Sequence, residues 1–205
     1  MAPGDDRPIA GYEVLLCVTG GIACYKSADL TSKLVQSGAG VTVAMTDAAE
    51  RFVSPLTFQT LSGRQAHTSL WQSAADYSAQ HISLTEAADL AIVAPATADV
   101  LAKMAGGIAD DLISTLALSA HGACPILVAP AMNVRMWSAP ATQANMARLE
   151  GWSVHVVGPA EGRLACGTVG LGRMAEPGEV LAAAKALLLQ NPPKGGVLNS
   201  PKDHK

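Results

Sequence analysis

Residues 12–26 read YEVLLCVTGGIACYK. An apolar run over 12–18 ends at Thr19-Gly20-Gly21, and residues 22–37 then follow helical spacing. Strand, glycine turn and helix form the opening unit of a doubly wound α/β fold. Working outward, 41–45 is a second strand, and Thr46 and Asp47 cap a helix running to Phe52. Pro55 breaks that helix and starts a shorter one to Leu61, and residues 62–80 carry polar, Gly/Ser-rich edges. Residues 81–88 read as a helix feeding a buried strand at 90–94. Pro95 to Asp99 cap the next helix, and Asp110-Asp111 precede another that runs to Ala120.

Further along, 125–129 is a strand, 130–133 a loop, 138–150 a helix, 152–157 the last strand and 177–189 the last helix. This alternation predicts one α/β domain, a Rossmann-like or flavodoxin-like parallel sheet with helices on both faces. The expected divisions are an N-terminal extension over 1–10, the domain over 11–190 and a disordered Pro/Gly/Lys-rich tail over 191–205.

Composition agrees and excludes other classes. Apolar residues make up 49% and aromatics only 4%, which suits small side chains packed between helices and a parallel sheet. A net charge of −3 gives no footprint for nucleic acid or a polybasic membrane contact. No apolar run approaches the roughly 20 residues that span a bilayer, and residues 1–10 lack a signal-peptide core. The four cysteines have neither metal-ligand spacing nor disulfide-scaffold density, so no metal is expected and a reducing, cytoplasmic setting is.

Ligands in such sheets bind beyond the carboxyl ends of the strands. That rule collects the loops at 19–23, 46–48, 95–99 and 130–133 and the one around Cys166. All are rich in small residues, hydroxyls and helix-start amides that suit a phosphate. The turn is not a dinucleotide fingerprint, because Gly20-Gly21-Ile22-Ala23-Cys24-Tyr25 lacks the later glycines, and no Walker A motif is present. FMN, with one phosphate and a planar ring, fits these short loops better. Among the titratable groups His81 opens a helix, where the positive dipole favours a neutral imidazole fit to act as a base or acceptor. As plainly, it is a polar helix-start residue. Asn133 reads as a turn residue. Cys166 lies on a flexible loop with Gly167, Gly170 and Gly172, near Arg163 and Arg173, which would lower its pKa; an ordinary surface thiol is the alternative. Cys17 and Cys24 read as packed thiols. His121 and His155 read as structural, and His204 lies in the tail.

Six segments together carry a resemblance: TGGIACYK (19–26), VAMTDAA (43–49), HISL (81–84), APATADVLAKMAGGIADDLIST (94–115), PAMNVRMW (130–137) and ACGTVGLGRMAEP (165–177). Across residues 12–190 the chain resembles the flavin-containing cysteine decarboxylases, in particular the branch that acts on 4′-phosphopantothenoylcysteine. The resemblance implies FMN as cofactor, bound at Gly20, Gly21, Ile22, Thr46, Thr97, Ala98 and Asp99, and less surely at Ser114. It implies His81 and Cys166 as catalytic residues. Asn133 would hold the substrate carboxylate, with Ala131, Met132, Met136, Gly172 and Arg173 as further substrate contacts. The implied reaction oxidises the substrate's cysteine side chain to a thioaldehyde, which supplies the electron sink for CO2 loss. The resulting enethiol is then reduced, with Cys166 as proton donor, to 4′-phosphopantetheine in coenzyme A biosynthesis. The implied assembly is a homotrimer or a trimer-based dodecamer with FMN between protomers. In many members the domain is fused to a ligase; the resemblance here covers the decarboxylase domain alone. Two alternatives are a peptidyl-cysteine decarboxylase of the same family, sharing His81 and Asn133, and a non-catalytic flavin-binding regulatory subunit.

Overall fold

A computed structural model describes residues 7–70, 80–163, 167 and 169–195. Five parallel strands form its sheet: β1 (Glu13–Val18), β2 (Gly40–Met45), β3 (Leu90–Ala96), β4 (Ile126–Pro130) and β5 (His155–Val156). Their order is β2-β1-β3-β4-β5, so the chain reverses direction across the sheet between β1 and β3, the switch point where doubly wound folds bind ligands. Strands β1 and β3 are buried along their whole length, as strands covered on both faces should be.

One face carries α1 (Cys24–Gln36), α3 (Pro55–Ser62) and α9 (Pro177–Leu188), packed through Leu30, Leu34, Phe58, Val180 and Leu188. The other carries α4 (Gln80–Ala87), α5 (Ala98–Gly106), α6 (Leu112–Ala120) and α8 (Pro140–Gly151), packed through Leu101, Ile113, Leu116 and Leu149. Each fully buried aliphatic side chain contributes roughly 1.5–3 kcal/mol, so the two helical layers together hold the sheet between them. The short helices α2 (Asp47–Glu50) and α7 (Val134–Trp137) lie at strand ends.

Several boundaries differ from the sequence reading. The helix after Thr46 stops at Glu50 rather than Phe52. The helix expected over 138–150 is preceded by the separate turn α7 and begins at Pro140. Strand β3 runs to Ala96, with a register shift between Val93 and Ala96 where Pro95 has no N–H for the ladder. The last sheet strand is only two residues, not six. Trp152 and Val154 donate their amides back to Leu149 at the end of α8, and Ser153 has φ +64°. A two-stranded antiparallel hairpin, β6 (Ala160–Arg163) and β7 (Val169–Arg173), stands where the sequence suggested only a glycine-rich loop.

Residues 191–195, assigned to the tail, lie against the body. Tyr12 donates its hydroxyl to the Asn191 carbonyl at 2.8 Å, and the Lys194 ammonium donates to the carbonyls of Ala88 at 2.7 Å and Ala123 at 2.8 Å. No helix among the described residues is long and apolar enough to cross a membrane.

Candidate functional site

A cavity of about 1230 Å³ opens at the carboxyl ends of β1 to β4, above the roughly 300–1000 Å³ typical of small-molecule sites. That volume has room for two ligands side by side.

The β1 side is a cradle of turns and helix starts. Thr19 donates its hydroxyl to the Pro95 carbonyl at 2.6 Å and accepts from the Thr97 amide at 3.3 Å, tying the turn after β1 to the turn after β3. Beneath it, the buried Ser27 hydroxyl donates to the Ala94 carbonyl at 2.7 Å. Thr97 caps α5 by accepting from Val100 N, and Thr46 caps α2 by accepting from Ala49 N at 3.1 Å. Gly20 is needed here. A Cβ on it would stand 2.8 Å from the Ala48 carbonyl carbon and closer still to the Ala48 methyl. Backbone amides and hydroxyls from three helix starts thus meet on one wall, an arrangement that favours an anion. The cysteines nearby are inert: burial pushes the Cys17 thiol up to about 12. It also raises Cys24, whose Sγ lies 3.1 Å from the Thr19 carbonyl.

The α5–α6 side is acidic and tightly paired. Lys103 places its ammonium 2.6 Å from Asp111, 2.8 Å from Asp110 and 3.8 Å from Asp99. Hydrogen bonds to Asp110 and Asp111 raise the Lys103 pKa, so it stays charged. Burial works against the Asp111 carboxylate. The bonds it accepts from Lys103, the Ser114 amide and the Ser114 hydroxyl outweigh that and hold its pKa below the usual value.

Opposite stands a wall built by the 130–133 loop and the hairpin. Ala131 N donates to the Ala96 carbonyl at 3.0 Å, and Met132 N to the Gly172 carbonyl at 2.9 Å. Asn133 caps α7, its Oδ1 accepting from Arg135 N at 2.8 Å. Gly172, at φ +152°, is where β7 touches this loop: a Cβ there would lie far inside contact distance of the Met132 carbonyl oxygen. Arg163 and Arg173, one from each strand of the hairpin, both line the cavity. The three acidic residues and the two arginines therefore polarise it from one end to the other.

The cavity gathers Gly20, Gly21, Ile22, Thr46, Thr97, Ala98 and Asp99 with Ala131, Met132, Asn133, Met136, Gly172 and Arg173. Two sequence-predicted residues stand apart from it. His81 lies in the first turn of α4, its carbonyl accepting from Thr85 at 2.9 Å, and is not among the cavity residues. Ser114 is buried behind, its hydroxyl bonded to Asp111, and lines a smaller apolar pocket with Trp152 and His121. Cys166 lies outside the described residues. Sequence reasoning placed Thr19 in a ligand-binding loop but missed Lys26, Lys103, Asp110 and Asp111 as wall residues. Lys26 left a usable signal, since a lysine facing the core of a helix is rare and needs a partner. No group of three or more metal-ligating side chains occurs among the described residues.

A family model described as Flavoprotein matches residues 5–189. The coenzyme A biosynthesis bifunctional protein CoaBC of Vibrio vulnificus strain YJ016 is 47% identical over 186 residues, 91% of this chain and 46% of that protein. The chain thus spans about half the length of that relative. Among solved structures, a PPC decarboxylase mutant complexed with pantothenoylaminoethenethiol has a TM-score of 0.76 at 29% identity, covering 88% of this chain and 99% of that one. The FMN-dependent cysteine decarboxylase SpaF has a TM-score of 0.74 at 28% identity, covering 88% of this chain and 97% of that one.

Proposed function

The chain belongs to the Flavoprotein family, and from that premise we propose that it is an FMN-dependent decarboxylase of 4′-phosphopantothenoylcysteine. One observation carries the reading: a single cavity joins an anion cradle on the β1 side to a wall of PAMN loop and arginine-bearing hairpin on the other. The cradle fits the phosphate of FMN, because Gly20 leaves no side chain over the turn and Thr46, Thr97 and their helix starts converge on it. FMN, when bound, supplies the two-electron chemistry that turns the substrate's thiol-bearing carbon into an electron sink and later restores it.

The protein's own residues bind and orient. Arg163 and Arg173 attract the anionic groups of the substrate away from Asp99, Asp110 and Asp111. The 131–133 loop, fixed by the Ala96 and Gly172 carbonyls, would hold the reacting carboxylate, whose loss as CO2 is favoured where it is weakly solvated. Cys166, in the ACG motif at 165–167, is the proton donor for the saturated product.

His81 does not line its own cavity, so a catalytic role for it calls for a neighbouring protomer. Exposed Ile22 (63%), Tyr25 (62%) and Met136 (49%) at the cavity rim are apolar surface such a protomer would cover. A homotrimer or trimer-based dodecamer supplies that neighbour.

The test is CO2 release by protein reconstituted with FMN, given 4′-phosphopantothenoylcysteine or a cysteine-terminated peptide. Turnover of the pantothenoyl substrate, with a yellow protein showing an oxidised-flavin spectrum, is expected. Turnover of the peptide alone moves the assignment to the peptidyl-cysteine enzymes, and a protein that cannot hold FMN overturns it.

A further inference from the structure

Lys26 sits in the first turn of α1, five residues after the Gly20-Gly21 turn, and is only 5% exposed. A buried ammonium is costly unless it is paired and hydrogen-bonded. Its partners all come from the far side of the cavity. Nζ donates to the Met174 carbonyl at 2.8 Å and to Glu176 Oε1 at 3.0 Å. The same Glu176 oxygen forms an ion pair with Arg173, 3.0 Å from Nη2. Glu176 is itself held in place by the capping box of α9, where its amide donates to Glu179 Oε2 at 2.7 Å and its side chain caps the Glu179 amide. One carboxylate therefore stands between a buried cation on the cofactor-side helix and an exposed cation on the substrate-side strand. Arg173 follows Gly172, the residue that hangs β7 on the Met132 amide.

We propose that Lys26 is a positioning residue for substrate recognition: through Glu176 it fixes the guanidinium of Arg173 in the cavity wall, so that the affinity for the anionic substrate depends on a lysine of the cofactor helix. This rests on the reading above that Arg173 meets an anionic group of the substrate. Without Lys26, the Glu176 carboxylate loses the buried bond that fixes it, and the Arg173 guanidinium loses its fixed partner. The wall of β7 also loses the bond at the Met174 carbonyl. A residue that merely fastened the fold would lower stability and flavin content without singling out substrate affinity.

The experiment compares steady-state decarboxylation by the FMN-loaded wild type with Lys26→Met, Lys26→Arg, Arg173→Ala and the Lys26→Met/Arg173→Ala double variant, with flavin content measured on each. Lys26→Met is expected to raise KM about tenfold with kcat changed less than twofold and flavin retained, and Lys26→Arg to restore most of the loss. The double variant is expected to be no worse than Arg173→Ala, because both act along one path. An unchanged KM in Lys26→Met while Arg173→Ala raises it overturns the relay, as do additive effects or a loss that falls on flavin content. No change in Arg173→Ala overturns the role of Arg173 and the relay with it. No turnover by the wild type overturns the functional reading itself. If Lys26→Met does not fold, Glu176→Gln removes the shared charge and is expected to raise KM in the same direction; an unchanged KM there overturns the relay equally.

Discussion

Gly20 and Gly172 face the same cavity, and each is glycine because something occupies the place of a Cβ. The obstacles differ. At Gly20 it is the backbone and methyl of Ala48, in α2, beside a turn that the buried Thr19 hydroxyl ties to Pro95 and Thr97. At Gly172 it is one carbonyl oxygen of Met132, on a hairpin joined to the loop by the Met132 amide and to α1 by Lys26. The cradle is thus a product of the core, whereas the hairpin is attached to the core at a few points. A site built this way can hold a cofactor firmly while the wall that meets the substrate yields.

Gly20→Ala should break the cradle, and it carries the largest expected effect. The new methyl overlaps Ala48, and neither α2 nor the β1 turn can retreat without straining the Thr19–Pro95 and Thr46–Val18 bonds. Overpacking of this kind costs roughly 1–3 kcal/mol. Thermal unfolding should shift down and the flavin-to-protein ratio should fall at least tenfold. Full flavin content would show the cradle to be as compliant as the hairpin.

Gly172→Ala tests the other side. A Cβ there displaces the Met132 carbonyl and weakens the Met132–Gly172 bond, a net loss of roughly 0.5–1.5 kcal/mol. Flavin content should hold while KM for the pantothenoyl substrate rises up to about tenfold. If flavin is lost instead, the two walls are one cooperative unit and the contrast drawn here fails.

The cradle was legible in the sequence because its parts are local: an apolar run, a Gly-Gly break and helical spacing sit within fifteen residues, and Thr46 and Thr97 are cap residues by type. The hairpin was not. Residues 169–173 read VGLGR, and glycines of low strand propensity hide a strand whose order comes from pairing with β6 and from Met132, more than thirty residues away. Strand β5 was overread for the opposite reason: Trp152 and Val154 look like strand residues, but their amides close the end of α8. Lys26 escaped because a lysine on a helix is taken as solvated, and its partner Glu176 is 150 residues off. For His81 and Cys166 the residues alone left a catalytic and an ordinary reading side by side, and only the resemblance chose between them; His81 is not among the residues that line the cavity, and Cys166 lies outside the described residues.

The smallest expected effect lies in acid, and it too should fall on the cradle side. His67 is buried at the edge of β2, exchanging backbone hydrogen bonds with Val43 and Met45 at 2.8 Å, and the residues after it, Thr68 to Leu70, line the cavity. Burial lowers its pKa, so the folded state resists protonation while the unfolded chain takes up a proton near its ordinary value of about 6.5. Above that pH both states are neutral and His67 contributes no pH dependence. As pH falls below it the unfolded state binds more protons and stability drops. Between pH 6.5 and 5.5 the loss is limited to about 1 kcal/mol. His67→Gln, which cannot titrate, should flatten that part of the profile of thermal midpoint against pH and also slow the acid release of flavin. Because the hairpin holds no group in this balance, KM measured across the same window should not follow His67. Parallel stability profiles for wild type and variant would place the acid sensitivity elsewhere. A KM that tracks His67 would join the two walls that their glycines keep apart.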